Sequence, residues 1–263
     1  MVIRTDTIVD EYLTTLEEVT RGLPRRAIQQ AVDILYECWL RGGTVFALGN
    51  GGSASTASHL ACDLAKATMA PGRRRLKALA LVDNVPLVSA WTNDSGFGSV
   101  FAEQLEPWLR AEDVLVALSV HGGSGDGEAG PWSQNLAPAV ALARSRGARV
   151  IGLSGFGGGL LADEADVCIV VPAGQEPLGT PLVESLHVAV HHLLCVALRQ
   201  RIAGAGPDGG PDGGPEGGPD GGPNGGPDAR PDAGPDGGPD GGPDGGPDGR
   251  RDRGDLPGHS QSG

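Results

Sequence analysis

A histidine and an aspartate stand four residues apart, at His59 and Asp63, in the stretch LGNGGSASTASHLACDL. The small residues that open the stretch predict a loop, and the remainder predicts a helix on which positions i and i+4 share one face. Imidazole and carboxylate can both bind a metal ion and both carry protons. The pair therefore indicates a metal site or an acid–base site, and ordinary polar positions on a helix surface are the alternative.

A second group of such residues lies near the end of the apolar pattern, in TPLVESLHVAVHHLLCVALRQRI. Glu184 and His192 are eight residues apart and lie on a similar side of the predicted helix. Two helices that each carry one carboxylate and one imidazole could close a four-ligand site for a divalent cation, and Zn²⁺ suits such a donor set. His187 and His191 are interpreted as ordinary polar positions on a partly exposed helix.

Two loops rich in glycine and hydroxyl groups follow predicted strands, GNGGSAS after the first and SVHGGSGDG after the third. Backbone N–H groups at a helix start can bind an anion, and the helix dipole assists. A tight turn without a ligand explains the first loop alone equally well. Two such loops at neighbouring strand ends favour a phosphorylated ligand, and their spacing fits neither a Walker loop nor a dinucleotide fingerprint.

The apolar pattern predicts an α/β fold in which five strands alternate with helices. This alternation is typical of a parallel sheet in a three-layer sandwich, with ligands at the carboxyl ends of the strands. The predicted strands cover residues 44–49, 76–82, 113–119, 148–155 and 167–172, and the predicted helices cover residues 5–23, 24–43, 135–147 and 180–202. The first two helices carry more apolar residues than one sheet face needs, among them Leu35, Trp39 and Leu40, so we expect them to pack between subunits.

The composition divides the 263-residue chain into a folded part, residues 1–203, and a tail, residues 204–263. The tail repeats Gly-Pro-Asp-Gly, has almost nothing apolar to bury, and is therefore expected to be disordered. From Pro207 onward it carries 12 acidic residues and four arginines, which leaves 16 basic against 21 acidic residues and a net charge of −5 for the rest. That charge argues against a nucleic-acid surface. Without a signal-peptide core or an 18-residue apolar run, and with four scattered cysteines, we expect reduced thiols in a cytoplasmic protein.

Three stretches in the same order resemble those of the phosphoheptose isomerases, which have the SIS (sugar isomerase) fold. GNGGSASTASHLACDL resembles their first phosphate loop and helix, TNDSGFGSVFAEQL an Asn-Asp stretch, and TPLVESLHVAVHHLLCVAL the final helix. The resemblance covers about residues 5–200. It implies a homotetramer, one divalent metal per site, usually zinc, and interconversion of sedoheptulose 7-phosphate with an aldoheptose 7-phosphate.

The same resemblance assigns roles to individual residues. It makes Asp63 and His192 the acid–base pair, and His59, Asp63, Glu184 and His192 the metal ligands. The expected substrate contacts are Asn50, Gly51, Gly52, Ser53, Asp63, Asn93, Asp94, Ser119, Val120, His121, Ser124 and Glu184, with Ser119 and Ser124 on the phosphate.

This chain departs from the family pattern at three places. Asp63 stands where the family usually has Glu, Glu184 where it usually has Gln, and His121 replaces the middle serine of the second loop, before the insertion GDGEAGPWS. The first two departures make the site more anionic and should strengthen cation binding. We expect a sugar-phosphate aldose–ketose isomerase. The alternative is a non-catalytic SIS-domain binding protein of the DnaA initiator-associating type, in which the His and carboxylate set would have no chemical task.

Overall fold

The protein is described from a computed structural model that covers residues 5–127, 130–173 and 175–206, with only the backbone for residues 6, 126, 127, 130 and 131. By its internal contacts the chain divides into Met1–Pro215 and Glu216–Gly263, and all described residues belong to the first unit. The predicted disordered tail lies outside the described residues from position 207 onward. Part of the insertion after the second loop, residues 128 and 129, also lies outside them.

The strands confirm the predicted parallel sheet. In chain order they are β1 (Thr44–Gly49), β2 (Lys77–Ala80), β3 (Val114–Leu118), β4 (Asp126–Gly127), β5 (Gly130–Pro131), β6 (Arg149–Gly155) and β7 (Val167–Val171). Five of them form one parallel sheet in the order β2-β1-β3-β6-β7, and β4 and β5 form a short antiparallel pair. Gly49 at the end of β1 pairs with Leu118 at the end of β3, so the loops that follow these two strands start side by side.

The helices cover both faces of the sheet. They are α1 (Thr5–Arg21), α2 (Arg25–Arg41), α3 (Gly52–Lys66), α4 (Val85–Ser95), α5 (Val100–Leu105), α6 (Leu136–Ser145), α7 (Gly159–Glu164) and α8 (Gly179–Ala203). Buried residues of α2, α3 and α8 form one core with the sheet, and buried residues of α5, α6 and α7 form the core on the other face. The sequence pattern left α4, α5 and α7 unassigned, because two of them span only six residues and glycines interrupt the region around Gly96 and Gly98.

The prediction that the first two helices pack between subunits stays a prediction, but Leu35 and Trp39 cannot supply that contact. Leu35 and Trp39 are 0% and 2% exposed within the single chain, and Leu40 packs partly buried against the same core. The α2 helix uses its apolar face to cover the sheet and α8, so Leu35 and Trp39 have no surface left for a partner. Unpartnered apolar side chains are found instead on α1, at Ile8, Val9 and Leu13.

The last helix, α8, is long and apolar enough to cross a membrane by length and composition alone. Half of its most apolar window is buried inside the fold, where the helix packs on α2 and α3. Burial of this kind is typical of a core helix, and its apolar character is explained by that packing. It also means that polar side chains on α8 are held against α3.

Candidate metal centre and phosphate loops

The pair predicted on α3 forms as the sequence indicates. The backbone turns from β1 into α3 within two residues, and His59 and Asp63 then lie one helical turn apart on the face that meets α8. His59 Nε2 lies 3.4 Å from Asp63 Oδ2. The imidazole is about half exposed, whereas the Asp63 side chain is 22% exposed, so the carboxylate lies deeper than the ring.

The α8 helix brings two more imidazoles to the same carboxylate. His191 Nε2 and His192 Nε2 each lie 3.4 Å from Asp63 Oδ2. The ring of His191 meets that of His59 edge-on, with 4.6 Å between their centroids. The four residues His59, Asp63, His191 and His192 are called the His/Asp cluster below, and their ligand atoms all lie within 4.8 Å of one another.

The interior of this cluster is suited to a cation. Burial, together with the neighbouring His192 and His59, lowers the pKa of His191 to about 4, while Asp63 acts in the opposite direction. The ring is therefore neutral at pH 7, which is the form that binds a metal ion. Its two buried ring nitrogens have no hydrogen-bond partner. Three imidazoles and one carboxylate are a donor set for a divalent transition metal, so the residues present fit the metal that the resemblance implies.

Glu184 lies elsewhere, against the first loop. A β-carbon at Gly52 would stand 2.3 Å from Glu184 Oε1, so the absence of a side chain at Gly52 makes room for this carboxylate. Because Gly52 is the first residue of α3, the carboxylate lies at the positive end of that helix dipole. Glu184 is thus not a member of the His/Asp cluster, although α8 carries it two turns before His192.

The first loop is fixed from inside the fold. The side chains of Asn50 and Asn135 donate to each other in both directions, at 2.9 and 3.0 Å. Gly51 has a φ of 55° and a ψ of −124°, a conformation that is nearly restricted to glycine, and no heavy atom lies near the β-carbon it lacks. Ser53 is buried at the start of α3. The loop therefore has a set shape, with the open side of Gly51 facing away from the core.

The second loop holds its serines in backbone contacts. Ser119 is 6% exposed, and its Oγ accepts a hydrogen bond from the N–H of Gly123 at 3.2 Å. Ser124 Oγ accepts from the N–H of Leu160, in α7, at 2.9 Å. Ser119 Oγ also lies 3.4 Å from Ser133 Oγ, and either hydroxyl of that pair can be the donor. When Ser133 donates, the hydroxyls of Ser119 and Ser124 both have a proton for an anionic oxygen.

His121, between those serines, packs against aromatic rings. Its centroid lies 4.5 Å from the ring of Trp132 and 4.5 Å from that of Phe156. The preceding residue, Val120, packs partly buried beside Phe156 in a small apolar cluster. Trp132 comes from the insertion after the loop, so the insertion and the unusual histidine form one contact. The ring edge of His121 is the part that could meet a ligand.

Asn93 and Asp94 are exposed near the end of α4 and pair with each other through Asn93 Nδ2 and Asp94 Oδ1, at 2.7 Å. No described hydrogen bond joins either of them to the two loops. Within the described chain, α4 has no buried residue. The substrate contacts expected of this pair therefore stay predictions.

The sequence pattern did not identify His191 as a member of the His/Asp cluster. The expectation that His187 and His191 are partly exposed positions is wrong, because they are 1% and 0% exposed. The adjacent pair His191-His192 was the available signal. It was not decisive because α8 is apolar on nearly all sides, so its sequence does not show which face meets α3.

Comparisons with known proteins agree with this architecture. Residues 9–155 match the SIS domain family. The chain is 52% identical over 190 residues to the lincomycin biosynthesis protein LmbN of Streptomyces lincolnensis, covering 72% of this chain and 68% of that protein. It is 40% identical over 169 residues to the phosphoheptose isomerase of Rhodospirillum rubrum, covering 64% and 82%. The structure of phosphoheptose isomerase GmhA from Neisseria gonorrhoeae superposes with a TM-score of 0.63 at 30% identity, over 75% of this chain and 97% of that one.

With this sheet order, these loops and these matches, the chain belongs to the SIS domain family. Within that family it groups with the phosphoheptose isomerases, and it is a sugar-phosphate isomerase.

Proposed function

We propose that the protein interconverts a ketose phosphate and an aldose phosphate, with sedoheptulose 7-phosphate and D-glycero-D-manno-heptose 7-phosphate, or a close aldoheptose 7-phosphate, as the pair. The His/Asp cluster is the observation that carries this proposal. It unites a carboxylate, three imidazoles and space for a divalent cation in one chain of an isomerase family. A bound Zn²⁺ ion would supply Lewis-acid stabilisation of the negative charge that develops on the substrate's carbonyl oxygen.

The proton transfers are assigned to Asp63 and His192. Asp63 directs Oδ2 toward the three rings, so Oδ1 is the oxygen left to remove the proton on the carbon next to the carbonyl. We propose that His192, about half exposed at the rim of the cluster, returns a proton to the adjacent carbon. The proton of the hydroxyl beside the carbonyl passes to the former carbonyl oxygen, so the substrate gains as many protons as it loses and the product is its isomer. Proton exchange with solvent then deprotonates Asp63 and reprotonates His192 for the next turnover. His59 and Asp63 are proposed as metal ligands. His192 is proposed as a further metal ligand, except while it transfers its proton to the substrate.

Phosphate binding is assigned to the second loop. The hydroxyls of Ser119 and Ser124 can each donate a hydrogen bond to a phosphate oxygen. The start of α3 already holds the Glu184 carboxylate, which would repel a phosphate placed there. We therefore propose that Asn50, Gly51, Gly52, Ser53 and Glu184 contact the hydroxyl groups of the sugar, with Asn93, Asp94, Val120 and His121 completing the pocket.

The similarity to LmbN bears on the pathway. That protein takes part in lincomycin biosynthesis and is 52% identical to this chain over the folded part. We propose that this isomerase likewise prepares a sugar phosphate for a natural product, rather than for a cell-surface glycan. We also propose a homotetramer in the cytoplasm, supported by the exposed apolar side chains of α1 and by the free thiols of all four cysteines.

The direct test is conversion of a panel of ketose phosphates of different chain length, followed by separation of the aldose product. The zinc-loaded protein is expected to convert sedoheptulose 7-phosphate or a close homologue, a chelator to abolish this, and added Zn²⁺ to restore it. Zinc-loaded protein that converts no member of the panel would contradict the proposal.

A further inference from the structure

We propose that His191 is the fourth metal ligand, so that one chain supplies three imidazoles and one carboxylate. This inference rests on the proposed function only in taking the His/Asp cluster to be a metal site. The family resemblance gives the fourth ligand position to Glu184, whereas this inference gives it to His191. The two assignments differ in charge, because a site with Asp63 and Glu184 would neutralise a divalent cation, whereas Asp63 with three neutral imidazoles leaves a net charge of +1.

The burial of His191 is the first observation. Its side chain is 0% exposed, and neither ring nitrogen has a hydrogen-bond partner. A buried polar group without a partner costs free energy, roughly 1–3 kcal/mol in proteins. A cation bound at Nε2 would remove that cost on the side of the ring that faces Asp63. The neutral ring thus has a nitrogen with a lone pair, and no neighbouring group of the described chain donates a hydrogen bond to it.

The distances within the cluster are the second observation. Three different Nε2 atoms, those of His59, His191 and His192, lie at the same 3.4 Å from Asp63 Oδ2. Charge-assisted hydrogen bonds are shorter, about 2.7–2.9 Å, and one carboxylate oxygen is a poor acceptor for three rings. With zinc–nitrogen and zinc–oxygen distances of about 2.0–2.2 Å, the edge of a tetrahedron of ligands is about 3.3–3.6 Å. The three distances to Asp63 match such edges, and all four ligand atoms lie within 4.8 Å of one another.

The location of Glu184 is the third observation. Its carboxylate lies against Gly52 at the start of α3, where the helix dipole favours a negative charge. Glu184 therefore has a favourable position away from the cluster, and His191 occupies the remaining ligand position. Since His59 and His192 are half exposed and His191 is fully buried, His191 forms the floor of the site.

His187 offers a matched comparison on the same helix. It lies one turn before His191, is 1% exposed, and burial lowers its pKa to about 4 as well. Its two ring nitrogens, like those of His191, are buried without a hydrogen-bond partner among the described residues, so the approach of Nε2 to Asp63 Oδ2 is what distinguishes His191. It is not a member of the His/Asp cluster. A substitution at either position removes a buried imidazole from α8, but only one of them should remove a metal ligand.

The experiment measures zinc affinity of the full-length protein by competition with a chromogenic chelator. His191→Leu is compared with His187→Leu and Glu184→Leu, after the folding of each metal-free variant has been checked by circular dichroism. Loss of a residue that only orients a ligand costs about 10–100-fold in affinity, so loss of a ligand should cost about 100-fold or more. We expect that loss in His191→Leu and less than about threefold in the two controls. Wild-type affinity in His191→Leu, or an equal loss in Glu184→Leu, would overturn the inference.

A second measurement needs no variant. X-ray absorption at the zinc edge of the wild-type protein counts imidazole ligands, and three are expected. A count of two overturns the inference even if His191→Leu fails to fold. Wild-type protein that holds zinc with three imidazoles yet converts no ketose phosphate would leave this inference intact and remove the proposed function.

Discussion

Gly122 and Gly158 approach so closely that a β-carbon on Gly122 would stand 1.8 Å from the carbonyl oxygen of Gly158. The contact joins the second loop to the residue before α7, and Gly122 has a φ of 64°. Two independent constraints therefore require glycine at this position: the left-handed backbone and the space beside it. The serines proposed to bind phosphate depend on this contact, because Ser124 Oγ is held by the N–H of Leu160 in α7.

Gly122→Ala is expected to lower the free energy of unfolding by about 3 kcal/mol or more, since steric overlap adds to backbone strain. Gly72→Ala is the control. Gly72 has a φ of 70° with no heavy atom within 4 Å of the missing β-carbon. Its substitution should therefore cost only the strain of the left-handed backbone, about 1 kcal/mol. Urea denaturation of both variants measures the difference. Equal losses would show that the loop can move away from α7.

Asp63→Asn and His192→Ala are each expected to lower kcat by about 100-fold or more, because a general acid or base contributes at least that much. Asp63→Asn should also reduce bound zinc, because an amide oxygen is a weaker ligand than a carboxylate. Turnover and elemental zinc content are measured on the same samples. Full zinc with near-normal turnover in Asp63→Asn would contradict the assignment, whereas lost turnover with zinc retained would make Asp63 a base and not an essential ligand.

Folding stability should depend on pH through His187. Its pKa is about 4 in the folded chain and 6.5 when unperturbed, so the neutral ring is fully favoured above pH 6.5. As the pH falls from 6.5 to 4, His187 binds a proton in the unfolded chain but stays neutral in the folded chain. The free energy of unfolding therefore falls by about 3 kcal/mol over this range. The metal-free protein is compared with His187→Leu by denaturation at each pH. The variant should lose less stability over this window, while His191 titrates alike in both, and parallel curves would contradict the prediction.

Assembly should depend on the outer face of α1. Leu13 is 58% exposed in the single chain, beside Ile8 and Val9. The wild-type protein is expected to have a tetramer's mass by light scattering, and Leu13→Asp to shift it to smaller species by placing a charge in an apolar contact. Thr14→Asp adds the same charge at the next, already exposed position and should leave the tetramer intact. A monomeric wild-type protein at micromolar concentration would contradict the prediction.

Removal of residues 207–263 is expected to leave turnover and melting temperature unchanged. The helix before this segment ends at Ala203, and the backbone up to Gly206 is already held by the side chain of Arg73. The Gly-Pro-Asp repeat has no apolar face with which to pack. A fall of more than a few degrees in melting temperature, or loss of the tetramer, would show that the tail contributes contacts.

The sequence alone determined the sheet and half of the His/Asp cluster. Strands such as β1 and β3 are short apolar runs, and a run buried on both faces has no other stable place than the inside of a parallel sheet. His59 and Asp63 are four residues apart on one helix, so their proximity follows from helix geometry without any tertiary contact. The pairing of the two loops likewise follows once β1 and β3 are neighbours.

The tertiary structure decided the remainder. α8 is apolar on nearly every side, so only its packing on α3 shows that His191 faces Asp63, while Glu184 faces Gly52. An apolar residue such as Trp39 has the same sequence signal whether it covers its own sheet or a partner subunit, and only the fold shows that it lies in the chain's own core. In both cases the sequence pattern predicts that a side chain is buried but not which residue it contacts. Those contacts join residues far apart in sequence, and local periodicity carries no information about them.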